Sequence, residues 1–403
     1  MSSTPAPSNL AARRLAVGIA GFCSFLNLYA PQALLPMLSA EFGAGAAEIS
    51  HIMTASTLAV ALTAPFAGAI ADMLGRKRVI VAAMLALTVP TLLLGLAPSL
   101  DALILCRFAQ GLVLPPVFAV TVAYISEEWP PHEAAGATGV YISGCSLGGF
   151  AGRFITGIIA DLAGWRWAFA ALALISLLGA LAVLAWLPRE RGFVRSEGLR
   201  ASGRQMLQHL RDPRLLATFA VGSGVLFNFI ATFTYISFHL AAPPYALSAT
   251  ALGAVFAVYL VGSVLTPWVG GSIARFGRRQ LMIAMIGLWG AGIALTLAGS
   301  LVAIIVGLAV CAGCGMICQA VSTGYVAATA AAGRSSAVGL YVTCYYVGGS
   351  CGAALGGVAW TFGHWPACVA LVAAILTVMA MIVAFAWTPP AAGASLDGRQ
   401  FQG

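Results

Sequence analysis

The sequence predicts an all-α membrane protein: twelve transmembrane helices in two pseudo-symmetric six-helix halves. Three observations carry this. Only 8% of the 403 residues are charged while 61% are hydrophobic, with a mean hydropathy of +0.95, whereas a soluble domain carries roughly 25% charged residues. The basic residues fall in alternate loops. Glycine and aromatic patterns recur about 200 residues apart.

The elements follow in order. A spanning helix needs about 20 mostly apolar residues, and twelve such runs are bounded by turn or charge signals: 15–37, 50–71, 79–97, 102–124, 137–160, 167–187, 215–239, 250–273, 281–299, 302–328, 337–360 and 367–387. The runs are continuous rather than alternating, which disfavours a β-barrel. Residues 1–14 form a Pro/Ser/Ala-rich segment, expected to be a disordered cytoplasmic N-terminus. The first run is longer than the apolar core of a cleaved signal peptide, so it reads as a retained helix. The second and third runs are separated by Gly68-Ala-Ile-Ala-Asp72-Met-Leu-Gly75-Arg76-Lys77-Arg78. Such a charge cluster belongs at a membrane face, not in the bilayer core. Pro115, Pro116 and Pro267 should bend or loosen the fourth and eighth helices, because their missing N–H groups leave carbonyls to be satisfied otherwise. The N-terminal half is 15–187 and the C-terminal half 215–387. Between them lies the linker 188–214, with seven arginines; its part Arg204–Arg211 suits an amphipathic surface helix as well as a plain solvated linker. Residues 388–403 are a tail.

Orientation follows from charge. Arg107, Arg153 and Arg166 apart, the 20 Lys/Arg lie at the chain ends, in the central linker, or in the loops between helices 2–3, 8–9 and 10–11. An even helix count puts all of these on one side, which the positive-inside rule makes the cytoplasm. Both termini are therefore expected to be cytoplasmic. The +8 net charge is accounted for by topology, without a nucleic-acid partner.

The repeat is specific. Gly139-x-Tyr141-x6-Gly148-Gly149-x2-Gly152 returns as Gly339-x-Tyr341-x6-Gly348-Gly349-x2-Gly352, Gly68 and Gly75 answer to Gly270 and Gly277, and Phe25-Leu-Asn27 is similar to Leu226-Phe-Asn228. Two parallel six-helix halves with a site near the midplane make a transporter architecture. Nine cysteines all lie in apolar runs. Cys311, Cys314 and Cys318 share a helix face, but no His or acid stands near to complete a metal site, so small-residue packing is the expectation and no disulfide is expected.

Several motifs now carry a resemblance. The Gly68–Arg78 loop resembles the 2–3 loop motif of the major facilitator superfamily. Arg107-Phe-Ala-Gln110-Gly111 resembles its fourth-helix motif, and Gly164-Trp-Arg166-Trp-Ala-Phe169 the turn before helix six in its drug:proton antiporter branches. Tyr141-Ile-Ser-Gly-Cys-Ser-Leu-Gly-Gly-Phe-Ala-Gly-Arg153, Ser126-Glu-Glu128 and Tyr345-Tyr346-x-Gly348 are similar to the YnfM-type inner-membrane transporters of bacteria. At Gly148-Gly149 the chain departs from the Gly-Pro pair of drug antiporters, and Arg153 stands where they carry a small residue. The resemblance implies a monomeric, multi-pass transporter of the bacterial cytoplasmic membrane, exporting a small-molecule substrate. It needs no cofactor and is driven by the proton gradient as an antiporter.

Candidate residues fall in two groups. At the cytoplasmic face, the resemblance implies that Gly68, Asp72, Gly75, Arg76 and Arg78 latch the two halves. Gly68 and Gly75 would allow close backbone approach, Asp72 would face the start of helix eleven near Arg334-Ser-Ser336, and Arg76 and Arg78 would meet Glu127 and Glu128. The alternative is that the bases only set topology and touch anionic lipid. The second copy of the loop has Ala274 where Asp72 aligns. In the pathway, Arg107 and Arg153 lie about 9 and 12 Å below the same membrane face, counted from Asp101 and Asp161. Each either lines a cavity or ties helices together. Asn27, Tyr29, Gln110, Tyr141, Asn228, Tyr235, Gln319, Tyr341 and Tyr345 are the other polar and aromatic members of helices 1, 4, 5, 7, 10 and 11. Such a mixed amide–aromatic lining suits amphipathic ligands. No acid stands firmly at midplane, so the proton carrier is unassigned.

The reading is a secondary active transporter exporting a small amphipathic compound or drug by alternating access. The alternative is a metabolite or organic-anion carrier, by uniport or exchange, using Arg107 and Arg153. A membrane-embedded enzyme would need a cluster of acids, histidines or metal ligands at one depth, which this chain lacks. No GxxxxGK[ST] loop exists for an ATP-driven pump.

Overall fold

The structure is a computed structural model that describes residues 7–190, 208–330 and 334–387. Helix α1 is Pro7–Tyr29, α2 His51–Leu74, α3 Arg76–Gly95, α4 Leu100–Glu128, α5 Pro131–Ala163 and α6 Trp165–Trp186. In the second half α7 is Pro213–Ala241, α8 the interrupted path Ala249–Phe276, α9 Arg278–Leu295 and α10 Leu301–Thr329. The last helical stretch, Arg334–Ala386, is two helices: its backbone leaves helical geometry at Gly363 and His364, the latter at φ 51°. Gly348 packs on Ser223 and Met379 beside Gly224, adjacent residues of α7, so the chain reverses between them. We call the two parts α11 (334–362) and α12 (365–386). Pro366 sits in the first turn of α12, where a missing N–H costs nothing. Among the described residues this makes twelve long helical paths, the transmembrane set of the fold.

The boundaries differ from the expected runs at three places. Helix α1 begins at Pro7, inside the stretch expected to be disordered. There Arg13 lies over the Trp129 ring at 4.4 Å and donates to the Glu128 carbonyl, while Arg14 pairs with Glu133 at 3.9 Å. Beyond Tyr29 the same path continues as a 3-10 turn, Ala30–Ala33, and a short helix, Leu35–Phe42, because Pro31 and Pro36 each restart it. Helix α8 is broken by 3-10 turns at Phe256–Val258 and Thr266–Trp268, the second at Pro267 as expected. Helix α4, by contrast, runs unbroken through Pro115 and Pro116. Of the expected amphipathic segment 204–211, residues 204–207 lie outside the described residues.

The repeat is visible as packing. An added Cβ at Gly148 or Gly152 of α5 would meet the Phe22 or Leu26 carbonyl of α1 at 2.1 and 2.2 Å. At Gly348 or Gly352 of α11 it would meet the Ser223 or Phe227 carbonyl of α7 at 2.0 and 2.3 Å. Corresponding glycines thus seat corresponding helix pairs with backbones in contact, the small-residue packing that replaces hydrophobic driving force inside lipid. The turns match too: Gly75 between α2 and α3 and Gly277 between α8 and α9 both hold positive φ, 95° and 78°, which a side chain rarely adopts.

Among the described residues, the polar contacts between the halves lie at one end. One buried cluster, from Ala16 to Leu187, is confined to the first half around Arg13, Arg76 and Glu127. The larger cluster fills the second half and takes in first-half residues from the opposite end, such as Leu34, Ile49, Leu94 and Trp165, and from the middle, such as Leu87 and Leu114. We call these the basic end and the far end. Polar contacts between halves gather at the far end. Thr57 and Ser350 hydroxyls meet at 2.8 Å, Ser50 Oγ donates to the Ala353 carbonyl at 3.4 Å, and Gln32 Nε2 donates to Thr234 Oγ1 at 3.4 Å. The Asp161 carboxylate, at the end of α5, accepts from the Ala249 and Thr250 N–H groups at 3.2 and 2.8 Å, capping the start of α8 across the interface.

Candidate functional site

Between the halves lies a cavity of about 360 Å³, within the range of small-molecule sites. Its first-half wall is Phe25 and Tyr29 of α1, Phe118 of α4, and Tyr141, Ile142, Cys145, Ser146, Gly149 and Arg153 of α5. The second-half wall is Leu226, Phe229 and Ile230 of α7, Tyr259 of α8, Met316, Gln319 and Thr323 of α10, and Tyr341, Val342, Tyr345 and Tyr346 of α11. Among the described residues, nine rings line it and no Asp or Glu does. Rings meet across the interface, with Phe118 stacked on Tyr346 at 6.0 Å. The Gln319 side-chain amide makes no hydrogen bond among the described residues, so its donors and acceptor are free for a ligand.

Of the residues read as pathway members, Tyr141, Arg153, Gln319, Tyr341 and Tyr345 line this cavity; Asn27, Arg107, Gln110 and Asn228 do not. Asn228 is buried within the second half and donates to the Met379 sulfur at 3.3 Å. Tyr235, at the far end, donates to the Ala353 carbonyl at 2.6 Å. The others form one brace. The Arg107 guanidinium donates from Nε to the Ile52 carbonyl, from one terminal nitrogen to the Asn27 carbonyl and Gln110 Oε1, and from the other to the Leu28 carbonyl and Ser56 Oγ. Gln110 passes the chain to Thr91, and Thr91 to Asn27, whose amide donates to Ser176. Helices α1, α2, α3, α4 and α6 are tied through this network, and all five N–H groups of Arg107 are used. Of the two readings of Arg107, the tie between helices is the one its geometry supports.

Arg153 differs. It is 1% exposed, yet it forms the far-end floor of the cavity. Nε and one terminal nitrogen donate to the same oxygen, Gln32 Oε1, at 2.9 and 2.6 Å, and the other terminal nitrogen donates to the Gly149 carbonyl one turn back. The rings of Tyr29, Phe256 and Tyr259 lie 4.8, 4.5 and 4.7 Å from its carbon centre. Cation–π contacts of this kind contribute about 0.5–2 kcal/mol each, and here they stand in place of a counter-ion. Both helix breaks serve this group: the 3-10 turn after Tyr29 carries Gln32, and the 3-10 turn of α8 carries Phe256. Gln32 was not among the residues read from sequence; its only signal there is a lone amide after a proline in an apolar run.

At the basic end, Arg76 makes a two-pronged pair with the Glu127 carboxylate and meets Asp72 at 3.2 Å. Asp72 thus has a partner on the next turn of its own loop; the side chains of Arg334 and Ser335, towards which it was expected to face, lie outside the described residues. Glu128 accepts from Arg13 through its carbonyl, and Arg78 is exposed. Gly75 serves through its positive φ, with the Glu190 carboxylate seated against it. Gly68 was expected to allow close backbone approach, but among the described residues no atom lies within 4 Å of an added Cβ there.

Comparison with known proteins fits this architecture. The profile of the Major Facilitator Superfamily matches residues 17–243 and again 224–401. The inner membrane transport protein YnfM of Escherichia coli is 34% identical over 91% of this chain and 88% of its own length. The MFS-type transporter YybF of Bacillus subtilis is 29% identical over 89% of each. Among solved structures, the nucleoside transporter NupG superposes with a TM-score of 0.78 at 15% identity, over 93% of this chain and all of that one, a likeness of fold. With twelve helices in two repeated halves, a cavity between them and a profile that spans both, the chain belongs to the Major Facilitator Superfamily of transporters, which are not enzymes.

Proposed function

We propose that this transporter exports a small amphipathic compound from the cytoplasm by alternating access, and that the cavity between the halves is its carrier site. The observation that carries the reading is a cavity walled by both halves, rich in rings and provided with a few polar groups, Gln319, Ser146, Thr323 and Arg153. Rings supply contact area and the polar groups orient the cargo. With the basic end assigned to the cytoplasm by the positive-inside rule, a far end held shut and a basic end apart correspond to an inward-facing state that accepts cargo from the cell interior. We assign the proton gradient of the bacterial inner membrane as the driving force, on the resemblance to drug:proton antiporters.

The test uses everted membrane vesicles and a neutral fluorescent aromatic amphipath, 1-N-phenylnaphthylamine. Vesicles containing the chain are expected to accumulate it when energised and release it when a protonophore is added. Gly149→Trp places a large ring over the cavity floor, where an added Cβ meets only the Arg153 side chain. It should reduce accumulation to the background of vesicles lacking the protein, with membrane levels unchanged. Undiminished accumulation by Gly149→Trp would refute the cavity as carrier site, and indifference to the protonophore would refute proton drive.

A further inference from the structure

The two buried arginines are alike in depth and burial but not in saturation. Arg107 has an acceptor for each of its five N–H groups. Arg153 has acceptors for three: Nε–H and one N–H on each terminal nitrogen, directed to Gln32 and Gly149. Among the described residues, one N–H on each terminal nitrogen is left without an acceptor, and these nitrogens belong to a side chain that lines the cavity. Two N–H groups on adjacent terminal nitrogens form a fork whose spacing matches the two oxygens of a carboxylate. The guanidinium is charged at any physiological pH, and no acid lines the cavity to neutralise it. Its side-on edge is already held by a neutral amide and its faces by rings, which fixes the orientation of the remaining fork without compensating its charge.

We propose that the cargo is an organic anion with an aromatic body, its carboxylate received by the open fork of Arg153 and its ring laid among the tyrosines of the wall. Arg153 is then the specificity-determining residue, and Gln32 positions it. This inference rests on the cavity being the carrier site. It adds a charge preference that a ring-lined cavity does not by itself require. Tyr29 and Tyr259 flank the fork from opposite halves, so an anion seated there touches groups that separate when the far end opens.

The experiment compares three compounds with one body: 4-phenylbutyrate, 4-phenylbutyramide and 4-phenylbutylamine. Each is titrated calorimetrically against the purified full chain in lipid nanodiscs. The butyrate should bind at least about tenfold more tightly than the amide, the margin that one charge-assisted pair in a dry site supplies, and the amine most weakly. Arg153→Met should bring butyrate and amide to equal affinity while the amide's own affinity stays within about twofold; Arg153→Lys should retain part of the preference, since a point charge replaces the fork. Equal binding of butyrate and amide by the unaltered protein overturns the proposal, as does a preference that survives Arg153→Met or the absence of binding by all three. The unaltered protein's preference is read without any variant, so a poorly folding substitution leaves the test intact. If neutral amphipaths are carried and Gly149→Trp blocks them but charge makes no difference, this inference falls and the carrier site stands. If Gly149→Trp has no effect, both fall.

Discussion

Arg107→Met should unbrace the first half while leaving the selectivity of the cavity untouched. Met approximates the length of the arginine stem but supplies no donor, so five hydrogen bonds disappear together. Their acceptors are not equally hurt. A helical carbonyl normally accepts from the residue four places on; for Asn27 that residue is Pro31, which has no N–H. The Arg107 contact at 2.9 Å is what fills that acceptor. A buried acceptor left empty costs about 1–3 kcal/mol. Gln110 Oε1 and Ser56 Oγ lose a charged donor as well, while removing the buried charge recovers several kcal/mol of desolvation. The balance is a loss of about 3 kcal/mol, enough to lower the melting midpoint by about 5 °C. A thiol-reactive fluorogenic dye reads this directly, because buried Cys23 lies on α1 within the braced half. Arg153→Met should lower the midpoint less, because it removes three hydrogen bonds rather than five and one of their acceptors, the Gly149 carbonyl, lies within α5 where the helix supplies an N–H. An Arg107→Met protein that melts normally but loses preference for the anion would refute the division of roles between the two arginines.

Two further predictions concern how the halves are built and closed. Gly148→Val and Gly348→Val force a Cβ to 2.1 and 2.0 Å, respectively, from a carbonyl oxygen, so both should collapse the monodisperse peak in fluorescence-detected size exclusion, whereas Gly139→Ala, with no described atom within 4 Å of its Cβ, should not. Asp161→Asn weakens the cap on the α8 N-terminus by replacing a charged acceptor with a neutral amide. Hydrogen exchange across 249–255 should speed up several-fold, and unchanged exchange would show that glycine packing at Gly157 and Gly253 holds the far end shut without it.

The helix count and the pairing of halves were legible in the sequence, because hydropathy runs and turn glycines are local and the repeat states itself twice. What resisted was the rotation of a side chain about its own helix. Arg107 and Arg153 share residue type, depth and apolar surroundings, and nothing in composition separates them. A neighbour does. Gly111 lies one turn after Arg107 on the same face, and an added Cβ there would strike the Ser56 carbonyl of α2 at 2.3 Å, so that face is pressed against a helix. Gly149 lies one turn before Arg153, and an added Cβ there meets only the arginine itself, at 3.6 Å. Adjacent glycines in one motif therefore do opposite things: Gly148 closes α5 onto α1, and Gly149 keeps the cavity open. Gln32 escaped because its position depends on a helix that ends at Tyr29, eight residues before the end of the expected run at 37. The loop around Asp72 was legible as a charge cluster, but its partner was not, since pairing within the loop and pairing across the halves use the same residues.

The symmetry of the scaffold makes its departures informative. Carried across the repeat, Gly148 and Gly152 find Gly348 and Gly352, but Arg153 finds Ala353, Asp161 finds Thr361 and Asp72 finds Ala274. The residues that set helix packing are thus duplicated, while, among the described residues, the charges that line the cavity, cap the far end and pair at the basic end are in the first half. Ala353 shows what the second half does with the vacated position: its carbonyl accepts from Tyr235 of α7 and, more distantly, from Ser50 of the first half. A charge at 353 would project into that contact and hold the far end apart. The two halves can rock as equivalent bodies because their packing is the same. If the cargo is the anion proposed above, its charge meets an arginine on one half only, so its binding energy would be directional within a nearly symmetric frame.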